Sequence, residues 1–176
     1  MRTKVYITLF IVFLIIYFLQ ANFFTWFNLA GVKPNVFIIL VIFVGLFAGS
    51  KVALIYGIII GIFLDLFIGK NVGVTSVMLG ILGLLGAYFD KSFSKDSRMT
   101  IMLMVIVSTL IYETGLYVIN AMISSVHIEV IPFATILIIE MLYNAIITII
   151  VYPLFQTVGY RIEEKFKGNR ILTRYF

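Results

Sequence analysis

Three carboxylic acids interrupt long apolar stretches of the chain: Asp65, Glu113 and Glu140. A charged side chain placed among lipid tails costs about 2.5–3.5 kcal/mol on insertion scales, so each acid needs a proton, a hydrogen-bond donor or a partner. No Lys or Arg lies inside the same apolar runs. The nearest internal donors are Tyr112, Tyr117, Asn120, Tyr143 and Asn144. Asp65 stands on a helical spacing with two glycines, Gly57, Gly61 and Asp65 at i, i+4 and i+8, which sets a carboxylate on a smooth glycine face. Such a face admits either a neighbouring helix of the same chain or the helix of a partner protein.

Other chemistry is poorly represented. The single histidine, His127, sits beside Glu129 in a short polar stretch, and the chain has no cysteine. This excludes a thiolate metal site, a disulfide framework and a cysteine nucleophile. An intramembrane aspartyl protease needs two membrane aspartates, and Asp65 stands alone. No nucleophile–base pair or phosphate-cradling loop is present, so a non-enzymatic protein without cofactor or metal is expected.

The elements that position these residues follow from composition. Hydrophobic residues make up 62% of the 176 and charged residues 12%, with a mean hydropathy of +1.16. Soluble domains carry roughly a quarter charged residues. Lipid must therefore be the solvent for most side chains, and the expected fold class is an all-α membrane protein. The net charge of +5 does not point to nucleic acid, because the basic residues lie between the apolar runs and at the ends.

The charges and glycines divide the chain into six expected spans. The first is apolar from Val5 to about Leu19, followed by the aromatics Phe23, Phe24, Trp26 and Phe27; the other five run from Pro34 to Ser50, Val52 to Gly69, Val72 to Phe89, Met99 to Ser124, and Pro132 past Pro153. Lys51 and Lys70-Asn71 mark tight turns. Residues 1–160 then form the transmembrane domain and residues 161–176 a basic cytoplasmic tail, which also suits contact with anionic lipid. Six spans place Arg2, Lys4, Lys51, Lys91, Lys95, Arg98, Arg161, Lys165, Lys167, Arg170 and Arg174 on one side, and only Lys33 and Lys70 on the other. The positive-inside rule puts the first side, with both termini, in the cytoplasm. At about 1.5 Å per residue, Asp65 and Glu113 lie roughly 20 Å from the inner side and Glu140 about 12 Å below the outer side. In a core of about 30 Å all three share the outer half. Glycines at helical spacing (Gly45 and Gly49; Gly57 and Gly61; Gly80, Gly83 and Gly86) indicate close helix contacts.

The order of these features resembles the rod shape-determining protein MreD family. The residues that carry the resemblance are Lys33-Pro34-Asn35 opening the second span, Gly57-x-x-x-Gly61-x-x-x-Asp65 in the third, and Gly69-Lys70-Asn71-Val72-Gly73 after it. Where the family often has Pro-Asp, this chain has Pro34-Asn35, which keeps hydrogen bonding and loses the charge. The resemblance implies a subunit of the cell-elongation machinery in the bacterial cytoplasmic membrane. It implies an MreC-like bitopic partner, near an MreB-like actin, a RodA-type glycosyltransferase and a class B penicillin-binding protein. The implied fold is a six-helix bundle similar to the substrate-binding subunits of energy-coupling-factor vitamin transporters. Gly57, Gly61, Asp65, Pro34 and Asn35 become the candidate partner-binding residues, and Glu113, Glu140 and Asn144 a candidate intramembrane polar group. A vitamin-capturing subunit is the rival reading; those subunits carry an Ala-x-x-x-Ala pattern in the first span, and Val5 to Leu19 contains no alanine.

Overall fold

A computed structural model describes residues 3–67, 71–124 and 129–167. The expected turn at Lys70, the loop residue His127 and the basic residues Arg170 and Arg174 lie outside the described residues. Among the described residues there are six helical segments. They are α1 (Thr3–Trp26, with a π-helical turn at Leu19–Phe23), α2 (Val36–Ala48), α3 (Ser50–Phe67), α4 (Val74–Ser92), α5 (Arg98–Ser124) and α6 (Val130–Lys167).

Five of these, all but α2, are long and apolar enough to cross a membrane. The expectation of six full spans is corrected at α2. Its 13 residues rise only about 20 Å, short of a hydrocarbon core of about 30 Å. Its ends are set by local chemistry. At its N-terminus Pro34 restricts the backbone and the helix begins at Val36. At its C-terminus Gly49 adopts φ 87°, a left-handed value that a side chain resists, and the chain reverses there into α3. The turn is thus made by Gly49, and Lys51, expected to mark it, already lies in the first turn of α3.

Every residue of α2 is buried. A helix apolar on all sides has no face for water or headgroups and belongs at the centre of a bundle. Here α2 is packed by α3, α4 and α6. Among lipid tails there is no hydrophobic gain in moving such a helix inside, so close backbone approach must hold it. The glycines provide that approach. A Cβ on Gly45 would come within 2.8 Å of the Gly86 Cα and the Ala87 nitrogen, so α2 and α4 touch backbone to backbone. A Cβ on Gly57 would overlap the Leu79 carbonyl, and one on Gly61 the Ser76 Cα. α3 and α4 therefore form the most closely packed pair among the described helices.

The link from α1 to α2 is a tight hairpin. Leu29 and Val32 exchange backbone hydrogen bonds of 2.9 Å, with Ala30 and Gly31 at φ 51° and 82° between them. α6 runs unbroken through Pro153 to Lys167, so the segment expected to open a tail at Arg161 continues the helix, with Ile162 and Glu163 buried. Glu163 reaches the α4–α5 loop. The Lys95 ammonium donates to Asp90 at 2.9 Å and to Glu163 at 2.5 Å, and lies 4.9 Å from the centre of the Phe47 ring. The Tyr152 hydroxyl reaches the Lys95 and Asp96 carbonyls at 3.2 and 2.9 Å, and Tyr160 bonds the Asp96 carboxylate. This cluster ties three helices together at the end of the bundle where α2 meets α3.

Candidate functional site

The opposite end of the bundle is polar within its helices, and the shortness of α2 is the reason. α2 and α3 share the Gly49 turn, but α3 has 18 residues against 13. The α2 N-terminus therefore stops roughly 8 Å short of the end of α3. The N–H groups of its first turn face an apolar interior, where each unpaired donor is costly. Polar side chains from two helices meet them. Gln20, in the π-helical turn of α1, accepts from the Val36 N–H at 3.1 Å and donates to the Pro34 carbonyl at 2.7 Å. Asn144 of α6 accepts from the Asn35 N–H at 2.7 Å and donates to Thr109 of α5 at 3.0 Å. Asn144 and Thr109 are wholly buried.

Glu113 of α5 and Glu140 of α6 lie side by side beside this knot, close enough to act on each other electrostatically. The Asn35 side chain contacts Glu113 and the Tyr112 hydroxyl, and Asn144 contacts Glu140. No ion pair among the described residues reaches either acid. Glu140 is buried, while residues 113–117 are all half-buried, so the layer is accessible from the α5 side. One group stays open: the Asn35 Oδ1 is buried and has no hydrogen-bond partner. Among the described residues no three His, Cys, Asp or Glu side chains converge to hold a metal ion. The arrangement is built for hydrogen bonding.

Asp65 does not join the other two acids. Its carboxylate accepts from the N–H groups of Gly73 (2.8 Å), Thr75 (3.2 Å) and Ser76 (3.1 Å), at the start of α4. It is a capping group supplied by the preceding helix, satisfying the orphan donors and facing the positive end of the α4 dipole. The glycine face it shares with Gly57 and Gly61 is covered by α4. The space that a partner helix was expected to enter is filled by the chain itself.

Of the expected internal donors, Asn144 reaches the acid pair, and Tyr112 lies next to it with its hydroxyl toward Asn35 and Thr75. Tyr117 bonds the Glu129 backbone, Asn120 accepts from Asn71 at 2.7 Å, and Tyr143 donates to the Phe27 carbonyl. These three tie down loops. Sequence reasoning missed Gln20 and Thr109. A lone glutamine in an apolar run was the available signal for the first; the second, a threonine bonded in part to its own helix at Val105, leaves no sequence trace.

Apolar membrane-crossing helices locked by glycine contacts, with paired acids and amides at depth, define an integral membrane helical protein whose polar groups serve helix ends and one another. The model of one family, rod shape-determining protein MreD, matches residues 1–158, and the chain belongs to that family. Neither the curated proteins nor the solved structures yield a match.

Proposed function

We propose that this chain is a non-enzymatic scaffold subunit of the bacterial cell-elongation machinery. It sits in the cytoplasmic membrane with both termini in the cytoplasm and engages an MreC-like bitopic partner at the polar layer of Asn35, Glu113, Glu140 and Asn144. Membership of a rod-shape family supports the cellular role, and the one-sided distribution of Lys and Arg supports the orientation. The observation that carries the docking site is the unpaired Asn35 Oδ1 beside a half-buried Glu113. A buried acceptor without a donor costs about 1–3 kcal/mol, and a partner's N–H or hydroxyl group would remove that cost. Through such a partner the chain would act near an MreB-like actin, a RodA-type glycosyltransferase and a class B penicillin-binding protein. The rod-shape family favours this reading over vitamin capture.

The test is affinity purification from mild detergent of the wild type and of the double variant Glu113→Ala, Glu140→Ala. The variant is expected to stay monodisperse while partner recovery falls about tenfold, the equivalent of roughly 1.4 kcal/mol. Undiminished recovery from a folded variant would move the docking site elsewhere. Depletion that left wall growth and cell shape intact would overturn the cellular role.

A further inference from the structure

One surface feature lies apart from the polar layer. Between α1 and α3, from beside the Gly49 turn as far as Phe63, runs a groove of about 580 Å³. Its walls include Tyr6, Phe10, Ile55 and Ile59, and Lys51 stands at its mouth. Phe10, Ile55 and Ile59 are each more than half exposed. The groove closes where Phe63 packs edge-on against Phe13, with ring centres 5.3 Å apart. The Tyr56 hydroxyl inside it is already satisfied, donating to the Leu9 carbonyl at 2.8 Å.

The length of the groove identifies its occupant. From Lys51 to Phe63 is roughly 18 Å along α3. Half of a hydrocarbon core is about 15 Å. The groove is therefore one leaflet deep and sealed near mid-membrane, where a spanning partner helix would have to continue. Its single charge is a cation at the membrane surface, and no acid among the described residues pairs with Lys51. We infer that this groove holds an acyl chain of an anionic phospholipid, with the headgroup phosphate against the Lys51 ammonium. The occupant is chosen by shape along the groove and by charge at its mouth.

The absence of cysteine makes a direct test simple. A fluorophore on Ile55→Cys reports from inside the groove, and one on Ile150→Cys, on the exposed face of α6, serves as the comparison. Each labelled protein is reconstituted in phosphatidylcholine vesicles doped with doxyl-labelled phosphatidylglycerol or, separately, doxyl-labelled phosphatidylcholine at equal mole fraction. Quenching at position 55 should favour phosphatidylglycerol by roughly fivefold, the preference one lysine gives beside anionic lipid. Lys51→Gln should abolish that preference, and position 150 should show none. Equal quenching by both lipids at position 55, or a preference that survives Lys51→Gln, overturns the assignment. So does protection from both quenchers, which marks a polypeptide in the groove.

Discussion

At the scale of single residues, the three membrane acids answer the same energetic problem in two ways. Asp65 takes three backbone N–H groups and so acts as a cap for the next helix. Removing it leaves buried donors unpaired, at about 1–3 kcal/mol each before relaxation. Asp65→Ala should therefore lower stability by about 2–3 kcal/mol, with Asp65→Asn in between because one amide oxygen still accepts. Thermal unfolding in detergent, followed by circular dichroism, checks the order. A wild-type melting point for Asp65→Ala would show the cap to be dispensable. Glu113 and Glu140 instead share a contact with each other and with amides. A carboxylate on a glycine face reads the same from sequence whether it awaits a partner or caps the chain's own next helix. The covering residues, Thr75 and Ser76, lie beyond the turn and carry no signal of their own.

Among the elements, the α3–α4 pair depends on the absence of side chains at particular glycines. Gly61 faces the Ser76 backbone, which cannot move aside, whereas Gly80 faces the side-chain ends of Ile58 and Leu54. Overpacking in a tight core costs about 1–3 kcal/mol. Gly61→Leu should fall at or beyond the top of that range and reduce the yield of monodisperse protein, and Gly80→Ala should cost less than about 1 kcal/mol. Fluorescence-detected gel filtration separates the two. Normal folding of Gly61→Leu with selective loss of the partner would restore the glycine face as a docking surface. The glycine spacing announced close packing, and the structure distributes it: Gly83 meets α3, Gly86 meets α2, and Gly49, expected to pair with Gly45, makes the turn.

For the whole molecule, the bundle is fastened at opposite ends by different chemistry. At the Gly49 end, Lys95 is buried between Asp90 and Glu163. Breaking a buried ion pair by removing one partner costs about 3–5 kcal/mol, because the remaining charges stay buried. Lys95→Met should destabilise by that amount, and Lys95→Met with Glu163→Gln by less. Melting points of the two variants decide this, and equal losses would show that burial of the acids is not the cause. At the other end the side-chain amides of Gln20 and Asn144 do the fastening, on the backbone N–H groups of Val36 and Asn35. The orientation is tested by labelling single cysteines in intact cells with an impermeant maleimide. Asn28→Cys should react and Ser94→Cys should not, and the reverse pattern would invert the topology.

The composition, the charge-free runs and the alternation of basic segments were sufficient for the all-helical membrane class, and the motif order between residues 33 and 73 for the family. These are properties of how a chain partitions into lipid, which each segment does largely by its own apolar length. Most helix bounds followed too, since Met99–Ser124 as read differs by one residue from Arg98–Ser124 as folded. That α2 is buried whole was not legible, because a short apolar run looks the same whether it spans or lies inside the bundle. Nor was the meeting of Gln20, Asn35, Thr109, Glu113, Glu140 and Asn144, or the Lys95 cluster, which joins residues 68 apart in the chain. Hydrogen-bond partners in lipid are fixed by which helices touch and at what depth. Those contacts are set by where glycines let backbones meet, and that is decided only when the helices pack.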